Sequence, residues 1–120
     1  MPRYMALITE TINKVRTPEE IAAMHAEYLA FGEEAGAAGV IVGGGEALHD
    51  HSTGTTIHVD GRGGSVQVID APYAEAKEVC GGYYLLDVDD LDQAVAWAAK
   101  IPGAWHGKVE VRPCIDFTAM

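Results

Sequence analysis

The chain has 120 residues, enough for one domain with a real core and too few for two. Its formal net charge of −10 repels a phosphate backbone, whose recognition rests on Lys and Arg displacing counterions, so direct binding of DNA or RNA is not expected. No apolar run approaches the length of a membrane span and no basic segment precedes an apolar one at the start, so the expected chain is cytoplasmic, unprocessed and not membrane-bound.

The first element in chain order is a short apolar strand, "RYMALIT" at 3–9. Thr17-Pro18-Glu19-Glu20 then forms a capping box with proline at the first helical position. Ile21, Met24, Tyr28, Phe31 and Ala35 recur at three- and four-residue steps, which predicts a helix with that face turned inward. Gly36 and Gly39 bracket its end. "VIVGG" at 40–44 reads as a buried strand. "TTIHV" and "SVQVI" flank Asp60-Gly61-Arg62-Gly63-Gly64 and predict a β-hairpin, because glycine supplies the positive φ that such a turn needs.

A further strand, "GYYLLDV", leads into a helix opened by the aspartates of "DVDDLD". Leu91, Ala94, Val95, Ala98 and Ile101 form its expected buried stripe, and Pro102 its stop. "KVEVRP" is the last strand. The order β-α-β, hairpin, β-α-β predicts one α+β domain over 1–120: a ferredoxin-like split βαβ sandwich with an inserted hairpin. Helices cover one face of such a sheet. The other is too apolar to leave in water, so a homodimer with the sheets facing one another is expected.

Several short patterns carry little chemistry. "VGGGEA" and "GRGG" lack the Lys-Ser/Thr ending of a phosphate loop and the strand–glycine–helix setting of a dinucleotide site, so both read as turns. Cys80 and Cys114 form no CxxC or zinc spacing and give no argument for an oxidising compartment. His49 and His51 would share a face of an extended segment, and His58 follows on the next strand. No firm fourth ligand accompanies them, so the expectation is a polar loop and no metal. Trp97 and Trp105 read as core or interface anchors.

One corner is unusual. Asp70-Ala71-Pro72-Tyr73 ends a strand, and Glu75, Lys77 and Glu78 follow before Gly81-Gly82-Tyr83 enters the next. This run resembles the YCII-related domain, in particular its DGPF branch, with alanine in place of the motif glycine and tyrosine in place of phenylalanine. The similarity continues through "DVDDLDQAVAWAAKIPGA" to Glu110, Arg112 and Pro113, and includes "AAGVIVGGG". The resemblance implies a dimeric ferredoxin-like fold of the α/β-barrel-like kind, with the motif aspartate in a cleft and no cofactor. For relatives it implies a His–Asp pair as active site and lyase-type chemistry in the wider superfamily. It also implies, for some members, an association with extracytoplasmic-function sigma factors.

Asp70 is the first catalytic candidate: a carboxylate at a strand end, whose pKa rises if it is desolvated in a cleft. The alternative is a turn aspartate bonded to the backbone ahead. His25 lies at the margin of the first helix's apolar stripe, one turn before Tyr28, and either side chain can partner Asp70. Arg112 offers a planar fork for a carboxylate, with an ion pair to Glu110 as its ordinary use. Lys77 is the second cation for an anionic ligand. Tyr83 and Tyr84 point to opposite faces of their strand, so one can line a pocket while the other packs.

Two functions follow as expectations. One is a small cofactor-independent enzyme performing Asp-based proton transfer, with elimination or isomerisation, on a small acidic organic molecule. The other is a non-catalytic ligand-binding or regulatory module connected with transcription.

Overall fold

Residues 2–11, 16–69 and 78–119 are described by the structure, a computed structural model. The elements are β1 (Arg3–Thr11), α1 (Pro18–Ala38), β2 (Glu46–Ala47), β3 (Thr56–Val59), β4 (Val66–Ile69), β5 (Glu78–Asp87), α2 (Leu91–Ala98), α3 (Pro102–His106) and β6 (Lys108–Pro113). β2, β5, β1 and β6 lie side by side in that order in one antiparallel sheet, while β3 and β4 form a separate two-stranded sheet. Leaving out the hairpin, the strand order is that of a split β-α-β-β-α-β unit, consistent with a ferredoxin-like fold. No described helix is long and apolar enough to cross a membrane.

α1 begins where its capping box predicts. The Thr17 hydroxyl accepts the Glu20 amide, and the Glu20 carboxylate accepts the Thr17 amide, both at 3.2 Å. It ends at Gly39, whose φ of 70° is left-handed backbone that suits glycine. Phe31 and Ala35 are buried, Met24 and Tyr28 half-buried, and Ile21 is exposed, so the inward stripe fades toward the N-terminal end.

Two expectations change. "VIVGG" is not a continuous strand: Ile41 makes a single bridge to Leu86, positive φ at Gly43 and Gly45 turns the chain, and pairing resumes only in β2. Pro102 does not merely stop a helix. α2 has already ended at Ala98, and Pro102 occupies the first turn of α3, where its missing N–H leaves no bond unmade. α2 is capped by Asp90, whose carboxylate accepts the Gln93 amide at 2.9 Å. Ala94, Ala98 and Ile101 are buried, whereas Leu91 and Val95 are exposed.

The core forms where helices meet one face of the sheet. Ala6 and Ile8 of β1, Leu86 of β5 and the following Val88 pack with Phe31, Ala35, Ala94, Ala98 and Ile101. Tyr84 joins them, its ring 5.1 Å from that of Phe31. Side chains alternate along a strand, so Met5 and Leu7 of β1, Tyr83 and Leu85 of β5, and Arg112 of β6 take the opposite, open face. Trp97 is half-buried beneath the Lys100 ammonium, while Trp105 is exposed and donates to the Ala99 carbonyl.

Candidate functional site

Among the described strand pairings, that of β1 with β5 shifts register between Ile8 and Thr9. β1 and β5 pair regularly up to Ile8↔Gly82, then continue as Thr9↔Cys80, which leaves Gly81 as an extra residue in β5. Such a bulge bends its strand and re-aims the neighbouring side chains. The space beside Gly81 is taken by Glu10. A Cβ at position 81 would lie 2.5 Å from the Glu10 carboxyl carbon and 2.6 Å from Oε1. Gly82 admits the Glu46 carbonyl in the same way, at 2.5 Å from the position its Cβ would take.

The glycine run before β2 completes the arrangement. Gly45 has a φ of 67°, and a Cβ there would strike the Tyr83 carbonyl and the Tyr84 ring. The loop therefore lies close on β5, anchored by the Leu48 amide donating to the Gly81 carbonyl at 2.8 Å. Between this loop, the bulge and α1 is a cavity of about 300 Å³. Its walls include Met24, His25 and Tyr28 from α1, Glu10 from β1, Glu46 from β2 and Tyr84 from β5.

Two tyrosines in these walls are harder to ionise than a free tyrosine. Burial pushes Tyr28 up to about 12, with Tyr84 and Glu10 acting in the same direction. The Gly103 amide, which donates to the Tyr28 oxygen, and the Arg16 cation oppose this rise. Tyr84 is also raised, through burial. At neutral pH Tyr28, like any tyrosine, is a phenol, here able to donate a hydrogen bond in a wall that also holds the Glu10 carboxylate. Gly103 is a close neighbour: a Cβ there would lie 2.8 Å from the Tyr28 hydroxyl.

Glu10 also faces a second cavity of about 310 Å³, shared with Arg16, Asp50 and His51. There Asp50 accepts the Ser52 hydroxyl and amide, which hold its carboxyl below the usual range. Arg16 lines this space and a small cleft beside Tyr28. It is a described cation next to the tyrosine cavity.

The predicted site residues divide into three groups. His25 and Tyr28 share the cavity, with Tyr28 half-buried and His25 exposed. Arg112 and Tyr83 lie on the other face of the sheet, because they alternate with Val111 and Tyr84, which pack on the core. Within one chain they do not line this cavity. Arg112 makes no ion pair within 4.0 Å among the described residues, so the expected pairing with Glu110 is absent there. Asp70 and Lys77 lie outside the described residues.

The histidines are not gathered. His51 opens a 3₁₀ turn and does not sit in an extended segment, and His58 on β3 contacts Asp60 at 3.1 Å. Among the described residues no three His, Cys, Asp or Glu side chains form a metal-binding group.

Glu10 and Arg16 are the residues that sequence reasoning missed. One signal was available for Glu10: Gly-Gly inside a strand marks a bulge or a close approach, and the residue opposite it deserves scrutiny. For Arg16 there was none beyond its position before the helix cap.

Residues 2–118 match the model of the YCII-related domain. An uncharacterized protein of Rhizobium meliloti (strain 1021), R00369, is similar at 32% identity over 100 residues, covering 82% of this chain and 73% of the relative. A family match spanning nearly all the chain, on an α+β fold with this strand order, establishes that the protein belongs to the YCII-related domain family.

Proposed function

We propose that this protein is a small cofactor-independent enzyme that moves a proton on a small organic molecule bound between α1 and the bulge of β5. The observation that carries this reading is geometric: the half-buried Tyr28 phenol and the Glu10 carboxylate line one cavity, close enough for the carboxylate's charge to act on the phenol. A carboxylate that takes a proton and a phenol that donates one are the minimum for elimination or isomerisation. Of the two described carboxylates in the walls, Glu10 and Glu46, Glu10 is the one whose charge acts on Tyr28, and it is assigned as the base. Asp70 of the family motif follows directly after β4 in the chain and is the second carboxylate proposed for it. The Asp70–Tyr73 run also supports placement in the DGPF branch.

The substrate in this reading is acidic, with Arg16 as the cation that meets its charge. Arg16 replaces Arg112 in that role because it stands beside the cavity and Arg112 is across the sheet. His25 at the rim shuttles protons to solvent. The protein acts in the cytoplasm, a setting that suits the free thiols of Cys80 and Cys114. It works as a homodimer that covers the open sheet face of Met5, Leu7, Tyr83 and Leu85.

The test does not require the natural substrate. Protein is incubated in D₂O with a panel of small carboxylic, hydroxy and keto acids, and deuterium entry next to the carboxyl or carbonyl group is followed by NMR. Exchange with at least one compound is expected, reduced about 10²–10⁴-fold in Tyr28→Phe and in Glu10→Gln. Asp70→Asn decides between the two carboxylates. Binding of panel members without any exchange would overturn the enzymatic reading and leave a ligand-binding module.

A further inference from the structure

Among the described residues, the β3–β4 hairpin packs mainly on itself. Ile57 pairs with Val68 and Val59 with Val66, so these four side chains share one face, 40 to 64% exposed. The opposite face carries Thr56, His58, Gln67 and Ile69, and Ile69 is exposed as well. The two strands pack chiefly on each other. A lone two-stranded hairpin is marginal in water, and an apolar, uncharged face makes it more so.

The whole molecule shows the same deficit. A compact chain of 12.8 kDa exposes about 6,300 Å². This one exposes 8517 Å², an excess of about 2,200 Å². Its radius of gyration is 16.7 Å, where about 14 Å is usual for 120 residues, and it measures 47 × 47 × 20 Å. A flat body with that much surplus surface matches one half of an obligate dimer, whose copies each lose about 1,000–2,500 Å².

We infer that the hairpin is an arm whose Ile57, Val59, Val66 and Val68 lie on the open sheet face of a second copy, against Met5, Leu7, Tyr83 and Leu85. This rests on the homodimer of the preceding reading and specifies how it is built. The occupant is a second copy because the same chain carries both apolar surfaces, and a two-fold axis makes each arm meet the other's sheet. An anionic membrane surface would be repelled by a net charge of −10.

The experiment uses two variants and their mixture, read by sedimentation. Ile57→Asp/Val68→Asp alters only the arm, away from the core, and Leu7→Asp/Leu85→Asp alters only the sheet face. Wild type is expected to be dimeric at micromolar concentration, and each variant monomeric with at least a 100-fold weaker association. Mixed together, the variants are expected to form a heterodimer, because one intact arm still meets one intact sheet.

A monomeric wild type would overturn both the dimer and the arm. A dimer that survives the arm variant would overturn the arm alone and leave sheets stacked directly on each other. Two monomeric variants that fail to pair on mixing would also overturn it. If the sheet variant does not fold, a nitroxide on Val68→Cys, in a Cys80→Ala/Cys114→Ala background, replaces it. The label on one copy should broaden the Met5, Leu7 and Leu85 methyl signals of an isotope-labelled second copy, and unchanged signals would sink the inference.

Discussion

Tyr28 makes a testable statement about pH. Its phenol ionises near 10 in an unfolded chain and at about 12 in the folded one, mainly because burial disfavours the charged form. The folded state therefore holds a proton that the unfolded state gives up between pH 10 and 12, and stability falls as pH rises through that window. Absorbance of the phenolate should show late ionisation from Tyr28 and Tyr84, with the part near pH 12 missing in Tyr28→Phe, and urea midpoints for that variant should decline less over the same range. A Tyr28 titrating near 10 would show that its hydroxyl is not desolvated in the cavity wall. Gly81 gives a second test. The atoms nearest an alanine Cβ there belong to the flexible Glu10 side chain, so Gly81→Ala should leave the melting temperature nearly unchanged while displacing the carboxylate. Loss of deuterium exchange in a stably folded Gly81→Ala protein is expected; full exchange would exclude Glu10 as the base. At this scale the sequence was half legible. His25 and Tyr28 could be found because helical spacing puts them near one face, but Glu10 depends on a pairing shift between strands about seventy residues apart, which no local pattern reports.

Helix signals survived best among the elements. Thr17-Pro18-Glu19-Glu20 predicted the start of α1 because a capping box satisfies orphan amides locally, without help from the rest of the fold. Thr17→Ala should accordingly lower stability by about 1 kcal/mol in urea unfolding, with dimerisation unaffected. A change below a few tenths would mean that solvent satisfies those amides equally well. The β-hairpin was also legible, since its turn glycines, Gly61 and Gly63, take the positive φ that their sequence context demanded. "VIVGG" failed for a reason of the same kind: its apolar residues favour a strand, but Gly43 and Gly45 turn the backbone before a ladder can form. Leu91, Val95 and Ile21 failed differently. Periodicity shows that apolar residues share a face, and not whether anything in one chain covers that face.

The whole molecule is where charge and apolar surface oppose one another. Two copies of a chain carrying −10 must approach closely to cover the hairpin and the open sheet, and their mutual repulsion weakens association. The proposed contact is made by Ile, Val, Leu, Met and Tyr side chains, so little attraction between opposite charges compensates. Salt screens the repulsion and leaves the apolar contact intact or strengthened. Raising sodium chloride from about 20 mM, where screening extends roughly 20 Å, to about 500 mM, where it extends less than ~5 Å, should therefore tighten the dimer several-fold in sedimentation. An interface held by ion pairs would respond in the opposite direction. Arg112 and Arg3, both on strands of the sheet, are the cations that could make such pairs with the partner's carboxylates. Weaker association in high salt, reproduced by Arg112→Gln at low salt, would show that charge and not the hairpin's apolar face holds the copies together.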